Sequence, residues 1–117
     1  MPSGRKDRVA PPAHPQGYVA RLLNNESAEG WEDFVRAAPA PLWAAWEVLI
    51  RTPLSPTHPK RQHKLHGKLA RVNLDGRSFD LWQYEVTAGG RIWYCVDEAR
   101  KTVWLKQVSV SHPKATE

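Results

Sequence analysis

Apolar residues recur at helical spacing in the first half of the chain and at alternate positions in the second. Trp31, Phe34, Val35 and Ala38 fall at i, i+3, i+4 and i+7; Leu42, Ala45, Trp46, Leu49 and Ile50 fall at i, i+3, i+4, i+7 and i+8. Each set marks one face of a helix. Ser27 is placed to cap the first helix, with Glu29, Glu32 and Asp33 behind it to favour its positive end. Pro39 stops that helix, Pro41 suits the first turn of the next, and Thr52-Pro53 ends it. So short a break forces a tight helical hairpin, whose apolar stripe needs a sheet to cover it. Ahead of the hairpin, Tyr18–Leu23 reads as a first strand.

Beyond the helices the period falls to two. Leu54–Lys64, with its prolines, reads as a loop, and Leu69–Leu74 as a strand ending at the hairpin signal Asp75-Gly76. Phe79–Val86 follows, with Trp82, Tyr84 and Val86 on one face. After the turn Ala88-Gly89-Gly90, Ile92, Tyr94 and Val96 share a face, with Trp93 and Cys95 opposite. Asp97–Lys101 turns the chain into Thr102–Val110, with Trp104, Val108 and Val110 on one side. Short loops imply antiparallel neighbours. The predicted class is α+β: an N-terminal strand and a helical hairpin packed on a small, mainly antiparallel sheet. With no further helix to cover it, the second sheet face is expected to stay partly open. Trp31 and Trp46 belong to the core stripes, and of Trp82, Trp93 and Trp104 one is expected to serve as a base-stacking platform.

Charge changes the picture. The 117 residues carry a net charge of +5, which favours acidic partners such as nucleic acid. No acidic residue lies between Glu47 and Asp75, while Arg51, Lys60, Arg61, Lys64, Lys68, Arg71, His58, His63 and His66 all fall there. Residues 1–16, with Arg5, Lys6, Arg8 and Pro2, Pro11, Pro12 and Pro15, are expected to form a disordered basic tail, leaving 17–117 as one folded domain. A single cysteine forms no internal disulfide, the N-terminus lacks a signal-peptide apolar run, and Pro41–Ile50 is too short to cross a bilayer. A cytoplasmic protein without membrane contact is expected.

Three groups of residues bear on chemistry. His58, His63 and His66 have no cysteine or carboxylate among them, which disfavours zinc. Cys95 lies mid-strand with no histidine near it in sequence, so a buried thiol is expected rather than a nucleophile. The cations are more suggestive. Cleaving RNA through its 2′-hydroxyl needs a base, an acid and cations at the crowded phosphate, which Lys, Arg and His supply without a metal or cofactor.

The segments K-L-H-G-K-L (64–69), W-Q-Y-E-V (82–86), G-R-I-W-Y-C-V-D (90–97) and V-W-L-K-Q-V-S-V-S-H-P-K-A-T-E (103–117), in this order, resemble the RelE/ParE superfamily of toxins from bacterial type II toxin–antitoxin systems, in an actinobacterial or phage branch. The resemblance covers about residues 17–117. It implies a toxin that is a ribosome-dependent mRNA endonuclease and arrests translation, neutralised by a cognate antitoxin. The resemblance implies Arg91, Lys114 and His112 as catalytic residues, Arg91 and Lys114 at the phosphate; His112 or His66 is expected to act as acid or base, with Glu85 an alternative base, and Lys60, Arg61, His63, Lys64, Lys68 and Arg71 are expected to hold mRNA or ribosomal RNA. Gln83 and Glu85 stand where RelE-type enzymes carry sheet lysines, and a C-terminal catalytic tyrosine has no counterpart. The alternatives are a ParE-like inhibitor of DNA gyrase and a degenerate member that only binds RNA or its antitoxin.

Overall fold

A computed structural model describes residues 17–56 and 58–111. The tail 1–16 and the site candidates His112 and Lys114 lie outside the described residues. Strand β1 (Val19–Leu22) leads into helices α1 (Asn25–Ala37) and α2 (Pro39–Arg51), then β2 (Gln62–Lys64), β3 (Arg71–Leu74), β4 (Arg77–Asp80), β5 (Trp82–Glu85), β6 (Arg91–Asp97) and β7 (Thr102–Ser109). Five strands form one sheet in the order β1-β7-β6-β5-β2; β3 and β4 pair separately. Only β1 runs parallel to its neighbour, β7, because the helical hairpin carries the chain back across the sheet. The α+β class and the hairpin-on-sheet arrangement hold.

The helix caps explain where the hairpin begins. The α1 cap is Asn24 rather than Ser27: Asn24 Oδ1 accepts the Ser27 amide at 2.7 Å, and Ser27 Oγ accepts the Asn24 amide at 3.1 Å. This reciprocal box satisfies two amides that the first turn leaves without partners. The face of α1 on the sheet centres on Ser27, Ala28 and Phe34, and Gly30 approaches β7 so closely that an added Cβ would stand 1.8 Å from Val108 O. That approach rotates the helix, leaving Val35 45% exposed despite its place in the predicted stripe. Pro39 opens α2, and Leu42, Ala45, Trp46, Leu49 and Ile50 are buried as the spacing predicts.

Between helices and sheet, Phe34, Leu42, Leu49, Trp82, Tyr84, Ile92, Tyr94, Val103, Leu105 and Val108 form the core. Two expectations for the second half need correcting. Phe79–Val86 is two strands: the chain leaves the β3–β4 ribbon at Leu81 and joins the main sheet at Trp82. Asp75 and Gly76 both take positive φ, 52° and 81°, as a tight two-residue hairpin turn requires. The second sheet face is also less open than expected. Trp93 and Cys95 on that face are buried, β4 packs against β6, and Arg77 of the ribbon reaches the buried Asp97 at 3.3 Å. No helix of the described residues is long and apolar enough to cross a membrane.

Candidate nucleic-acid interface

The loop predicted between α2 and the sheet ends in an unforeseen edge strand. β2 pairs with β5 (His63 opposite Gln83), and the Glu85 amide donates to Arg61 O at 2.7 Å, extending the ladder by a residue. Just before it the chain turns tightly: the amides of Arg61 and Gln62 both donate to His58 O. A buried polar cluster fixes this turn to the core. Gln62 Nε2 donates to Tyr94 Oη at 2.8 Å and to the carbonyls of Thr52 and Pro53, while Tyr94 Oη donates to Pro53 O at 2.8 Å. Burial pushes the Tyr94 phenol well above its ordinary value, so it remains a hydrogen-bond donor.

The turn forms one wall of an open groove of about 650 Å³, lined by Val48, His58, Lys60, Arg61, Tyr84 and Glu85. Three bases from the turn therefore share a groove with one carboxylate from β5. Lys60 and Arg61 are exposed and make no ion pair among the described residues. Glu85 lies 3.9 Å from Arg91. His58 and Tyr84 were not expected at the site from the sequence, and Glu85 was expected there only as an alternative base. His58 belongs to the acid-free interval; the other two reach the groove through strand pairing.

The remaining candidates divide. Lys64 and Arg71 both converge on Asp80, at 3.6 and 2.5 Å, and Arg71 Nε also donates to Ser78 Oγ. His63 is half-buried, with Nδ1 3.1 Å from Lys64 O. His66 and Lys68 are exposed on the connection into β3, away from the groove lining. Arg91 is mostly enclosed: its NH1 group donates to the carbonyls of Thr87, Ala88 and Gly90 at 3.1–3.2 Å, binding the β5–β6 turn. Its side chain is 13% exposed and Nε has no partner among the described residues. Arg91 pairs in register with Ser109, so β7 brings the chain past it two residues before the last described one, Ser111.

Other candidates for chemistry are removed from the groove. Cys95 is buried, and burial, with a smaller push from Asp97, raises its thiol to about 12. It is an ordinary buried thiol at neutral pH. Gln83 is engaged through Oε1, which accepts from Trp93 Nε1 at 2.8 Å. Of the three strand tryptophans considered as base platforms, Trp82 and Trp93 are buried; Trp104 is half-buried beside Leu23, Leu74 and Phe79. Among the described residues no three His, Cys, Asp or Glu side chains come together as a metal site.

No protein-family model matches the chain. No curated protein matches it either. Among solved structures, a metal-bound toxin from Helicobacter pylori superposes with a TM-score of 0.55, over 78% of this chain and 91% of that one, at 17% sequence identity. At that identity the likeness establishes a shared fold.

Proposed function

We propose that the protein is a RelE-like toxin of a type II toxin–antitoxin system that cleaves mRNA on the ribosome without a metal. The observation that carries this reading is the groove in which His58, Lys60 and Arg61 face Glu85. The toxin fold of the Helicobacter pylori protein and the RelE-like order of sequence segments support it. The proposed reaction is attack of a ribose 2′-oxygen on the adjacent phosphorus, with loss of the 5′-oxygen of the next nucleotide. Glu85 takes the 2′ proton, and His58 returns one to the departing oxygen. Lys60 and Arg61 balance the charge that builds on the phosphate. Arg91, tied to the β5–β6 turn and 3.9 Å from Glu85, orients the carboxylate. His66, His112 and Lys114, expected from the sequence to be catalytic, stay proposed members of the catalytic set, with His63, Lys64, Lys68 and Arg71 as proposed RNA-binding groups. The partners under this reading are mRNA, ribosomal RNA and a cognate antitoxin in the cytoplasm.

The test is induction in a bacterial host, with amino-acid and thymidine incorporation followed over the first minutes and mRNA ends mapped. Early loss of amino-acid incorporation with new mRNA ends is expected, and Glu85→Gln should abolish both while the protein stays folded. Loss of thymidine incorporation first would instead indicate a gyrase inhibitor. One observation favours a non-catalytic member: Gln83, at a position where RelE-type enzymes carry a sheet lysine, and Arg91, at the position of their phosphate-binding arginine, are spent on Trp93 and on turn carbonyls. Normal growth with soluble protein accumulating would select that reading.

A further inference from the structure

Helix α2 is apolar on both sides. Leu42, Ala45, Trp46, Leu49 and Ile50 are buried toward the core. Its opposite stripe, Ala40, Trp43, Ala44, Glu47, Val48 and Arg51, recurs at i, i+3, i+4, i+7, i+8 and i+11 and is exposed or half-buried. Glu47 and Arg51 are the only charges on its 13 residues, whereas α1, of the same length, carries Glu26, Glu29, Glu32, Asp33 and Arg36. A helix apolar all round is normally covered on every side. Trp43 shows most clearly that a cover is missing. It is 53% exposed, more than any other large apolar residue described, and its ring leans on that of Trp46 with centroids 5.0 Å apart. A ring held out in this way leaves apolar surface in water.

The stripe is complementary to itself. Laid antiparallel on a second copy, about a two-fold axis between Ala45 and Trp46, it sets Trp43 opposite Val48, Ala44 opposite Glu47 and Ala40 opposite Arg51. Each contact is made twice, as an isologous interface requires. The large ring meets a smaller aliphatic side chain, and the two alanines let the helices approach. Charge selects the same arrangement. Val48 also lines the basic groove, beside His58, Lys60 and Arg61. Trp43 of one copy, seated on Val48 of the other, therefore meets those cations, and Glu47 follows Trp43 by one turn on the same face. Glu47, Lys60 and Arg61 make no ion pair among the described residues. A tryptophan face and a carboxylate both attract an ammonium or guanidinium group.

We propose that the protein forms an isologous dimer through this outer stripe of α2, in which Trp43 and Glu47 of each copy cover the basic groove of the other. Since that groove is the proposed RNA site, the dimer is a self-masked form that RNA competes against. This masking rests on the proposed function; the dimer does not.

Sedimentation equilibrium of the full chain, without RNA, tests the dimer. A reversible monomer–dimer equilibrium in the micromolar range is expected. Trp43→Ala should weaken it by about tenfold or more, as truncating a central interface tryptophan does. The ring is exposed in the monomer, so the urea midpoint should stay close to that of the wild type, which separates lost association from lost folding. Glu47→Lys should also weaken the dimer, and Lys60→Glu with Arg61→Glu in the same chain should restore it. A monomer at every concentration would overturn the proposal and leave the stripe to a different protein. So would a dimer indifferent to both Trp43→Ala and Glu47→Lys, or a series of growing oligomers, the mark of a head-to-tail contact. Masking is read separately. A single-stranded RNA oligonucleotide should convert the wild-type dimer to RNA-bound monomer, and RNA that binds without splitting the dimer would overturn the covering of the groove. RNA that does not bind, with translation spared on induction, would overturn the proposed function while the sedimentation result stands, so the two failures are told apart.

Discussion

The acid-free interval of the sequence divides into two regions that its charge pattern does not distinguish. The turn at His58–Arg61 is fixed by the Gln62–Tyr94–Pro53 cluster and holds Lys60 and Arg61, with no ion pair among the described residues, at the mouth of a groove. A few residues on, Lys64 and Arg71 are equally exposed but converge on Asp80. That carboxylate arrives on β4, nine residues after Arg71. The difference teaches that a run of basic residues measures potential binding charge, and that strand pairing decides how much of it faces a ligand. The comparison can be broken or sharpened at four points.

The largest effect is expected where the β3–β4 ribbon is fastened. Asp97 is 3% exposed in its side chain, accepts the Arg100 amide and faces both Arg77 and Arg100. Asp97→Ala removes charge-assisted bonds whose loss costs about 2–3 kcal/mol. Urea unfolding should show that loss. Freeing the ribbon should also expose Cys95, which shares the Asp97 face of β6 and lies opposite Trp104. Alkylation of Cys95 at pH 8, slow in the wild type, should speed up by about tenfold or more, the factor that some 1.4 kcal/mol of local opening brings. An unchanged rate would show that the ribbon does not guard that face. The thiol gives a second check. Its folded value is raised to about 12 from an ordinary 9, so its contribution favours the native state below pH 9 and is lost as pH rises from 9 to 12. Cys95→Ser should flatten that alkaline decline.

The next largest effect belongs to the turn. Gln62→Leu removes three hydrogen bonds and leaves two backbone carbonyls with fewer donors. A loss of about 2 kcal/mol is expected in urea unfolding. RNA affinity should fall with it, because the turn that presents Lys60 and Arg61 loses its anchor. If stability falls and RNA affinity does not, the placement of the turn is irrelevant to binding and the contrast between the two regions fails.

A third experiment compares the two cation pairs directly. Lys60→Ala with Arg61→Ala should lower the slope of log affinity against log salt by about 1.4, two single-strand phosphate contacts at about 0.7 each. Lys64→Ala with Arg71→Ala should change it by less than half as much, since Asp80 already balances part of that charge. Equal slopes would erase the distinction.

The sequence carried the helical hairpin, the Asp75-Gly76 turn and the alternation of β6 clearly, because each rests on local chemistry. It did not reveal β2, whose three residues, Gln62, His63 and Lys64, lack an apolar pattern and are strands only by pairing with β5. It merged β4 with β5, because Phe79 and Leu81 continue the apolar pattern through the switch between sheets. Lys60 and Arg61 were legible from charge; that Tyr84 and Glu85 line the same groove was not, since only the β2–β5 register brings them there. Arg91 begins β6 as the sequence pattern indicates, but nothing local showed that three turn carbonyls would engage it.

The smallest effect is the most discriminating. Asp80 is 44% exposed in its side chain, and its partners Lys64 and Arg71 are 56% and 55% exposed. Pairs this exposed contribute about 0–1 kcal/mol to stability, so Asp80→Asn should leave the urea midpoint nearly unchanged. Its effect on RNA should be visible all the same. Removing the carboxylate leaves Lys64 and Arg71 with a full charge each, and tighter binding at low salt should follow, by about threefold if roughly 0.7 kcal/mol of attraction is released. Because the gain is electrostatic and exposed, it should fade above about 0.5 M salt, where the screening length is only a few ångströms. A gain that persists at high salt would mean that the asparagine makes a contact of its own. No gain at all would mean that Asp80 does not shield these cations from RNA, and that the two regions of the basic segment differ in geometry alone.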